Sequence, residues 1–251
     1  MYKHYRPDGY RQLITLSCPP DMSREDLKDF FLKHSERSKY LPGLKWYTLC
    51  FTFDTIDYSD GSSGQPLQFD FFEEMYFESL DDLKNANRSD LMQQELKNMA
   101  DNGLKGPGIM RGVWAEANII MMKGLASPPK QRDCARIFGG CKCTSSMTKK
   151  DLKDWYYAHA DRVINDEGRM IIPEIIGYIH NFTLDDSPFG EPFVDAYCNN
   201  WWATKEDMFK TFKGDIWNRQ LVHREEHIDI QDKSLFIGAT AMEHIVDLPD
   251  R

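Results

Sequence analysis

Met22-Ser-Arg-Glu-Asp-Leu-Lys-Asp-Phe-Phe-Leu-Lys-His-Ser-Glu-Arg37 and Met147-Thr-Lys-Lys-Asp-Leu-Lys-Asp-Trp-Tyr-Tyr-Ala-His-Ala-Asp-Arg162 are two readings of one pattern. They agree without a gap at Met22/Met147, Asp26/Asp151, Leu27/Leu152, Lys28/Lys153, Asp29/Asp154, His34/His159 and Arg37/Arg162. A single offset of 125 residues, half of the 251-residue chain, produces every pair. The chain is a tandem duplication, and the repeat sets the frame for its fold.

Each copy reads as an amphipathic helix. Ser23 and Thr148 are good N-caps with polar or acidic residues in the first turn. Leu27, Phe30, Phe31 and His34 follow the i, i+3, i+4, i+7 spacing of one helical face, as do Leu152, Trp155, Tyr156 and His159. Both imidazoles therefore point at whatever layer the helices cover.

The other elements repeat with the helices. The first half reads as strand Arg11–Cys18, the helix, strand Leu44–Phe53, strand Phe69–Phe77, helical segments from Leu80 and over Leu91–Ala100, and strand Val113–Met122. The Gly/Ser/Asp-rich stretch Asp57–Pro66 reads as a loop or hairpin tip. The second half gives strand Arg136–Cys143, helix Thr148–Val163, strands Ile175–Leu184 and Phe193–Trp202, helical Thr204–Lys213 and Asp215–His223, and strand Leu235–Val246. Arg11/Arg136, Cys18/Cys143, Asp70/Asp195 and Phe72/Tyr197 keep the offset of 125, whereas Tyr47/Tyr178 and Phe51/Phe182 need 131, so six extra residues sit around Ile164–Met170. Ser127-Pro128-Pro129-Lys130 separates the halves, giving units 1–126 and 127–251. Each has the order β-α-β-β-α-β, the ferredoxin-like split βαβ. That unit leaves one sheet face bare. The expected fold is α+β: two tandem ferredoxin-like repeats packed sheet to sheet as an intramolecular α+β barrel.

Composition limits the partners. A net charge of −9 lacks the basic surface that nucleic acid requires. A hydrophobic content of 41%, with 13% aromatics, supports real cores. Six cysteines in strand-like runs read as buried thiols of a reducing compartment. With no apolar run of membrane-spanning length and no apolar leader, a cytoplasmic location is expected.

A strand, a polar turn, a helix ending in His-acidic-Arg, then Leu41-Pro42-Gly43-Leu44 and an aromatic strand resemble the EthD-like families of the dimeric α+β barrel superfamily. Ser23–Arg37, Phe69-Asp70 and Leu80–Leu83 carry the likeness in the first half. Thr148–Arg162, Ile172-Pro173, Val194-Asp195 and Glu243-His244 carry it in the second, where Glu174 replaces the glycine of the Pro-Gly pair. The resemblance implies a small-molecule pocket between helices and sheet. Related proteins include lactone isomerases, polyketide cyclases, decarboxylases or dehydratases and cofactor-free monooxygenases, and more distant ones bind haem.

The halves differ around their histidines. Tyr178, His180 and Phe182 share one strand face, and Asp195, Tyr197, Asn199 and Trp201 share a face of the next strand. Where the first half has Leu49, Phe72 and Glu74, the second has His180, Tyr197 and Asn199. His159 is therefore the expected acid/base group of the second half, with Tyr178, His180 and Tyr197 holding the enolate oxygen, and His34 is its counterpart in a second pocket. Tyr197, Asn199, Asp195, Trp155, Trp201 and Tyr47 are the expected substrate contacts. The structural alternatives are a histidine satisfied by a carbonyl or tyrosine, and polar faces that form an interface between repeats. His223-Arg-Glu-Glu-His227 matches a zinc-protease pattern, but the chain is too short beyond it for the further acidic ligand, so no metal is expected. The resulting expectation is a cofactor-independent isomerase or lyase acting on a small ring-containing carbonyl compound. A cofactor-free monooxygenase and a haem-binding protein are the alternatives, and a homodimer is compatible with the fold.

Overall fold

Strand β1 (Gly9–Leu16) is buried along nearly its whole length, on both faces. Such a strand needs two covering layers. Here one is a layer of helices and the other is the inside of a barrel. The computed structural model describes residues 7–57, 62–65, 68–122, 134–143, 146–163, 171–215 and 236–249. The first half continues with α1 (Arg24–Ser38), β2 (Leu44–Asp57), β3 (Ser62–Gln65), β4 (Phe71–Phe77), α2 (Leu80–Arg88), α3 (Asp90–Asp101) and β5 (Met110–Met122). The second half contains β6 (Ala135–Cys141), α4 (Lys149–Val163), β7 (Ile175–Thr183), β8 (Ala196–Trp202), α5 (Lys205–Phe212) and β9 (Phe236–Ile245). The boundary at 126/127, most of the expected last helix and the His223/His227 motif lie outside the described residues.

All strand pairs are antiparallel. The order is β2-β4-β1-β5 in the first half and β7-β8-β6-β9 in the second. β5 then pairs with β7, and β9 with β2, so eight strands close into a barrel. The expected fold class is observed. The two sheets meet at their edges through these hydrogen bonds, and their inner faces meet inside the barrel. β3 turns back along the end of β2 as a hairpin, Thr55 opposite Gln65.

Equivalent residues do equivalent work. Ser23 caps α1 and shares a capping box with Asp26. Thr148 and Asp151 make the same contacts at α4. Asp70 accepts the Cys18 amide at 2.7 Å and Asp195 accepts the Cys143 amide at 2.7 Å, each tying the turn before a helix to a neighbouring strand. Gly43 adopts φ +74°, and a Cβ there would sit 2.8 Å from Cβ of Asp82, so the Pro-Gly turn of the first half has both backbone and steric grounds for its glycine.

The barrel interior is apolar at one level and ionic at the next. Leu13, Phe72, Phe138 and Tyr197 pack together with Cys50 and Val113. Beside them lie Arg11, Arg136, Glu74 and Glu243, all essentially without solvent exposure. Arg11 donates to Glu74 at 2.9 Å, and Arg136 donates to Glu74 and, at 3.0 Å, to Glu243. The Trp201 indole donates to Glu243 at 2.8 Å. Arg11 lies 4.4 Å from the Trp46 ring centroid, and Arg136 lies 4.4 Å from that of Trp201. Two cations meet two anions in a dry setting, so removal of any one leaves a buried charge uncompensated.

Candidate active site

The outward faces of the two sheets lie under the helices, and each carries a different polar cluster. In the second half the β7–β8 register sets His180 opposite Cys198 and Tyr178 opposite Asn200. These four positions share the face under α4. His180 is fully buried, and its Nε2 lies 2.6 Å from the Tyr178 hydroxyl. Tyr156 of α4 meets the imidazole edge-on at 4.7 Å between ring centroids, with Phe182 at 6.3 Å. Burial, and then the neighbouring His159, hold the His180 imidazole well below its ordinary value, so the ring is neutral at neutral pH. Nδ1 of His180 has no hydrogen-bond partner among the described residues. His159 stacks on Trp155 at 5.1 Å with an interplanar angle of 14°. α4 also reaches across the seam between repeats: Tyr157 donates to Asn118 of β5 at 2.9 Å, and Lys153 pairs with Glu116 at 2.6 Å.

The first half places a carboxylate pair around its histidine. His34 Nδ1 lies 2.8 Å from Glu95 of α3, while Nε2 lies 3.0 Å from the Ser38 hydroxyl and 3.6 Å from Glu73 of β4. Tyr47 donates to Glu73 at 2.7 Å, and Arg37 grips Glu95 through two nitrogens at 2.6 and 2.9 Å. Burial pushes the Glu73 carboxyl up, against the pull of His34. Burial also works to raise Glu95, but contacts with His34 and Arg37 outweigh it and bring that carboxyl down to about 2. His34, Glu95 and Arg37 form a polar chain leading from the core to the surface.

The structure brings some expected site residues together and separates others. Tyr178, His180, His159 and Trp155 lie under α4 or on it. The expectation that Tyr197, Asn199 and Trp201 share their pocket is corrected. Asn181, the neighbour of His180 on β7, is the residue opposite Tyr197, so the pleat turns Tyr197, Asn199 and Trp201 into the barrel. Asn199 there donates to Glu74, and the Trp201 indole to Glu243. Asp195 is spent on the Cys143 amide. Tyr47 reaches the His34 side of the first half through Glu73, and Glu73 and Glu95 line the surface facing His34. The sequence offered a signal for this, the consecutive Glu73-Glu74 in an otherwise apolar strand. Alternation sends one carboxylate to each face, and each needs its own polar partners.

His34 has both ring nitrogens at polar partners and so offers no open ring nitrogen to a haem iron as an axial ligand. Among the described residues no cluster of three or more His, Cys, Asp or Glu could hold a metal ion, and no helix is long and apolar enough to cross a membrane.

No protein-family model and no curated protein matches this sequence. Solved structures do. An anthrone oxidase-like protein superposes over 95% of this chain and 94% of its own, with TM-score 0.57 and 11% identity. A proposed monooxygenase from Fusobacterium nucleatum superposes over 99% and 96%, with TM-score 0.56 and 6% identity. An EthD family protein from Bacillus halodurans aligns over 42% of this chain and 95% of its own, with TM-score 0.32 and 17% identity. The fold is that of the dimeric α+β barrel proteins, in agreement with the resemblance read from the sequence. The isomerase or lyase expectation is overturned here, because the structures that match from end to end bear oxidase and monooxygenase names.

Proposed function

We propose that the chain is a cofactor-independent oxygenase whose second half activates a small, flat, ionisable ring compound toward dioxygen. The observation that carries the reading is the His180 ring, enclosed, neutral and with Nδ1 unpartnered among the described residues. In the tautomer whose Nε2–H donates to Tyr178, Nδ1 holds a lone pair and is the basic atom. A buried polar atom without a partner costs free energy, and a base awaiting a substrate proton is one reason to keep it.

The chemistry needs little else. His180 takes a proton from an activated CH2 of the substrate, leaving a resonance-stabilised anion. The anion gives one electron to dioxygen, and the radical pair combines to a peroxide that takes up a proton. Loss of water then leaves a carbonyl, so CH2 and O2 become C=O and H2O. Substrate supplies the electrons. Enclosure by Tyr156 and Phe182 keeps water from quenching the anion, the Tyr178 hydroxyl beside Nε2 is a donor for a developing oxyanion, and His159 is a second proton carrier. The oxidase and monooxygenase names of the structural neighbours support the reaction class. The barrel closes within one chain, so a homodimer uses other surfaces.

Oxygen uptake with anthrone under labelled dioxygen tests this. The expected result is a carbonyl product carrying one labelled oxygen, formed without added flavin, haem or metal and lost in His180→Phe. Product without label, or full turnover by that variant, overturns the proposal.

A further inference from the structure

A second site stands apart from these histidines. A cleft of about 450 Å³ opens in the first half between α2, α3, the start of β5 and the loop joining β7 to β8. Four cations line it: Lys84 and Arg88 of α2, Lys105, and Arg111 of β5. Lys84 pairs with Asp186 at 2.8 Å. Arg88, Lys105 and Arg111 form no ion pair among the described residues, and no acidic side chain is in the lining. This is a concentrated positive field on a chain of net charge −9.

The cleft also has a flat apolar side. Trp114 is 6% exposed, its indole donating to Gln12 at 3.1 Å, so the ring is fixed in place. Phe189 reaches over from the second half and lies against Gly112, where even a Cβ would come within 2.5 Å of its ring. The loop bearing Phe189 is anchored on its N-terminal side, by the Leu184 amide on the Trp114 carbonyl at 2.8 Å and by Asp186 on Lys84. The wall is therefore built from both repeats.

We propose that this cleft is a binding site for a flat organic oxyanion, an aromatic carboxylate or sulfonate, with its ring on Trp114 and Phe189 and its charge among Arg111, Arg88 and Lys105. Guanidinium groups take a planar oxyanion through paired N–H donors, and aromatic walls favour a flat body. The bare cations draw the ligand in, and that attraction weakens with salt. None of the proposed oxygenase residues lines this cleft, so the two proposals stand or fall separately.

Calorimetric titration of the whole chain with naphthalene-2-carboxylate, naphthalene-2-sulfonate, neutral 2-naphthamide and inorganic phosphate tests the site. The two aromatic anions should bind at least about tenfold more tightly than the amide or phosphate, as expected for charge-assisted hydrogen bonds on an apolar platform. Binding should weaken as NaCl rises from about 50 to about 500 mM. The double variant Arg88→Gln with Arg111→Gln should lose at least about tenfold in affinity for the anions and leave the amide unchanged. Equal binding of the amide, phosphate binding as tight as the aromatic anions, or undiminished anion binding by the double variant would overturn the proposal, as would no binding of either aromatic anion.

Discussion

Asn199 donates to the Glu74 carboxylate at 3.0 Å, and the two are the same position of the two repeats, 125 residues apart. The approximate two-fold axis of the barrel passes between them. A faithful duplicate would set two carboxylates face to face there, and asparagine in one copy turns repulsion into a hydrogen bond. Glu74→Asn should cost about 3–5 kcal/mol, because Arg11 and Arg136 then share Glu243 alone. Adding Asn199→Glu returns a carboxylate to the equivalent place and should recover at least about 1 kcal/mol of that loss. Urea unfolding of both variants measures this; a swapped protein no more stable than the single variant refutes the equivalence.

The carboxylates around His34 make opposite predictions for acid. Glu95 is brought down to about 2, so its folded form binds a proton less readily than the unfolded chain does. Its stabilising effect is complete above the ordinary carboxyl value of about 4.3 and is lost as pH falls toward about 2. Glu73 is raised, so it favours the folded state only while protonated and loses that advantage as pH rises past the ordinary value. Glu95→Gln should therefore destabilise the protein at neutral pH and flatten the acid limb of its stability curve. Glu73→Gln should cost much less at neutral pH than at pH 4. Unfolding free energies measured between about pH 2 and pH 7 decide both.

The repeat, the element order and the barrel were legible because helical and strand periodicities are local properties. The histidines on α1 and α4 could be aimed at the sheet from helix spacing alone. The composition of each face was not legible. Alternation sorts residues within one strand, but only the hydrogen-bond register says which set on β8 shares a face with Tyr178 and His180. That register sets Asn181 opposite Tyr197, so the apparent polar pocket divides into Tyr178 and His180 under the helix and Tyr197 and Asn199 inside the barrel. Glu95 escaped notice because α3 meets α1 only in the folded chain.

Gly112 should tolerate no side chain without moving the second half. Its missing Cβ leaves room for Phe189, whose ring carbons would otherwise lie 2.5–2.7 Å away. Gly112→Ala should destabilise by about 1–3 kcal/mol through overpacking of Phe189. Phe189→Ala should relieve most of that penalty in the double variant, since the residues touch directly. A melting series of the four proteins reads this out, and additive losses would show that Phe189 is not what the glycine accommodates.

His180 gives the sharpest functional prediction. Its folded value lies well below the ordinary 6.5, chiefly through burial and then through His159. The folded protein therefore binds the His180 proton more weakly than the unfolded chain, so stability from this residue is full above about 6.5 and falls as pH drops. A catalytic base that stays neutral in acid should keep kcat/KM level below the ordinary imidazole range, with the acid limb displaced to lower pH. Raising its value by opening the site should move that limb back, and Tyr156→Ala, which removes a covering ring 4.7 Å away, is the variant to use. His180→Phe should lower the rate by about 10²–10⁴ and, with the titrating group gone, also lessen the loss of stability in acid. A pH–rate profile with an unshifted limb near 6.5 would assign the base to another residue, and the stability series would report on His180 independently of any substrate.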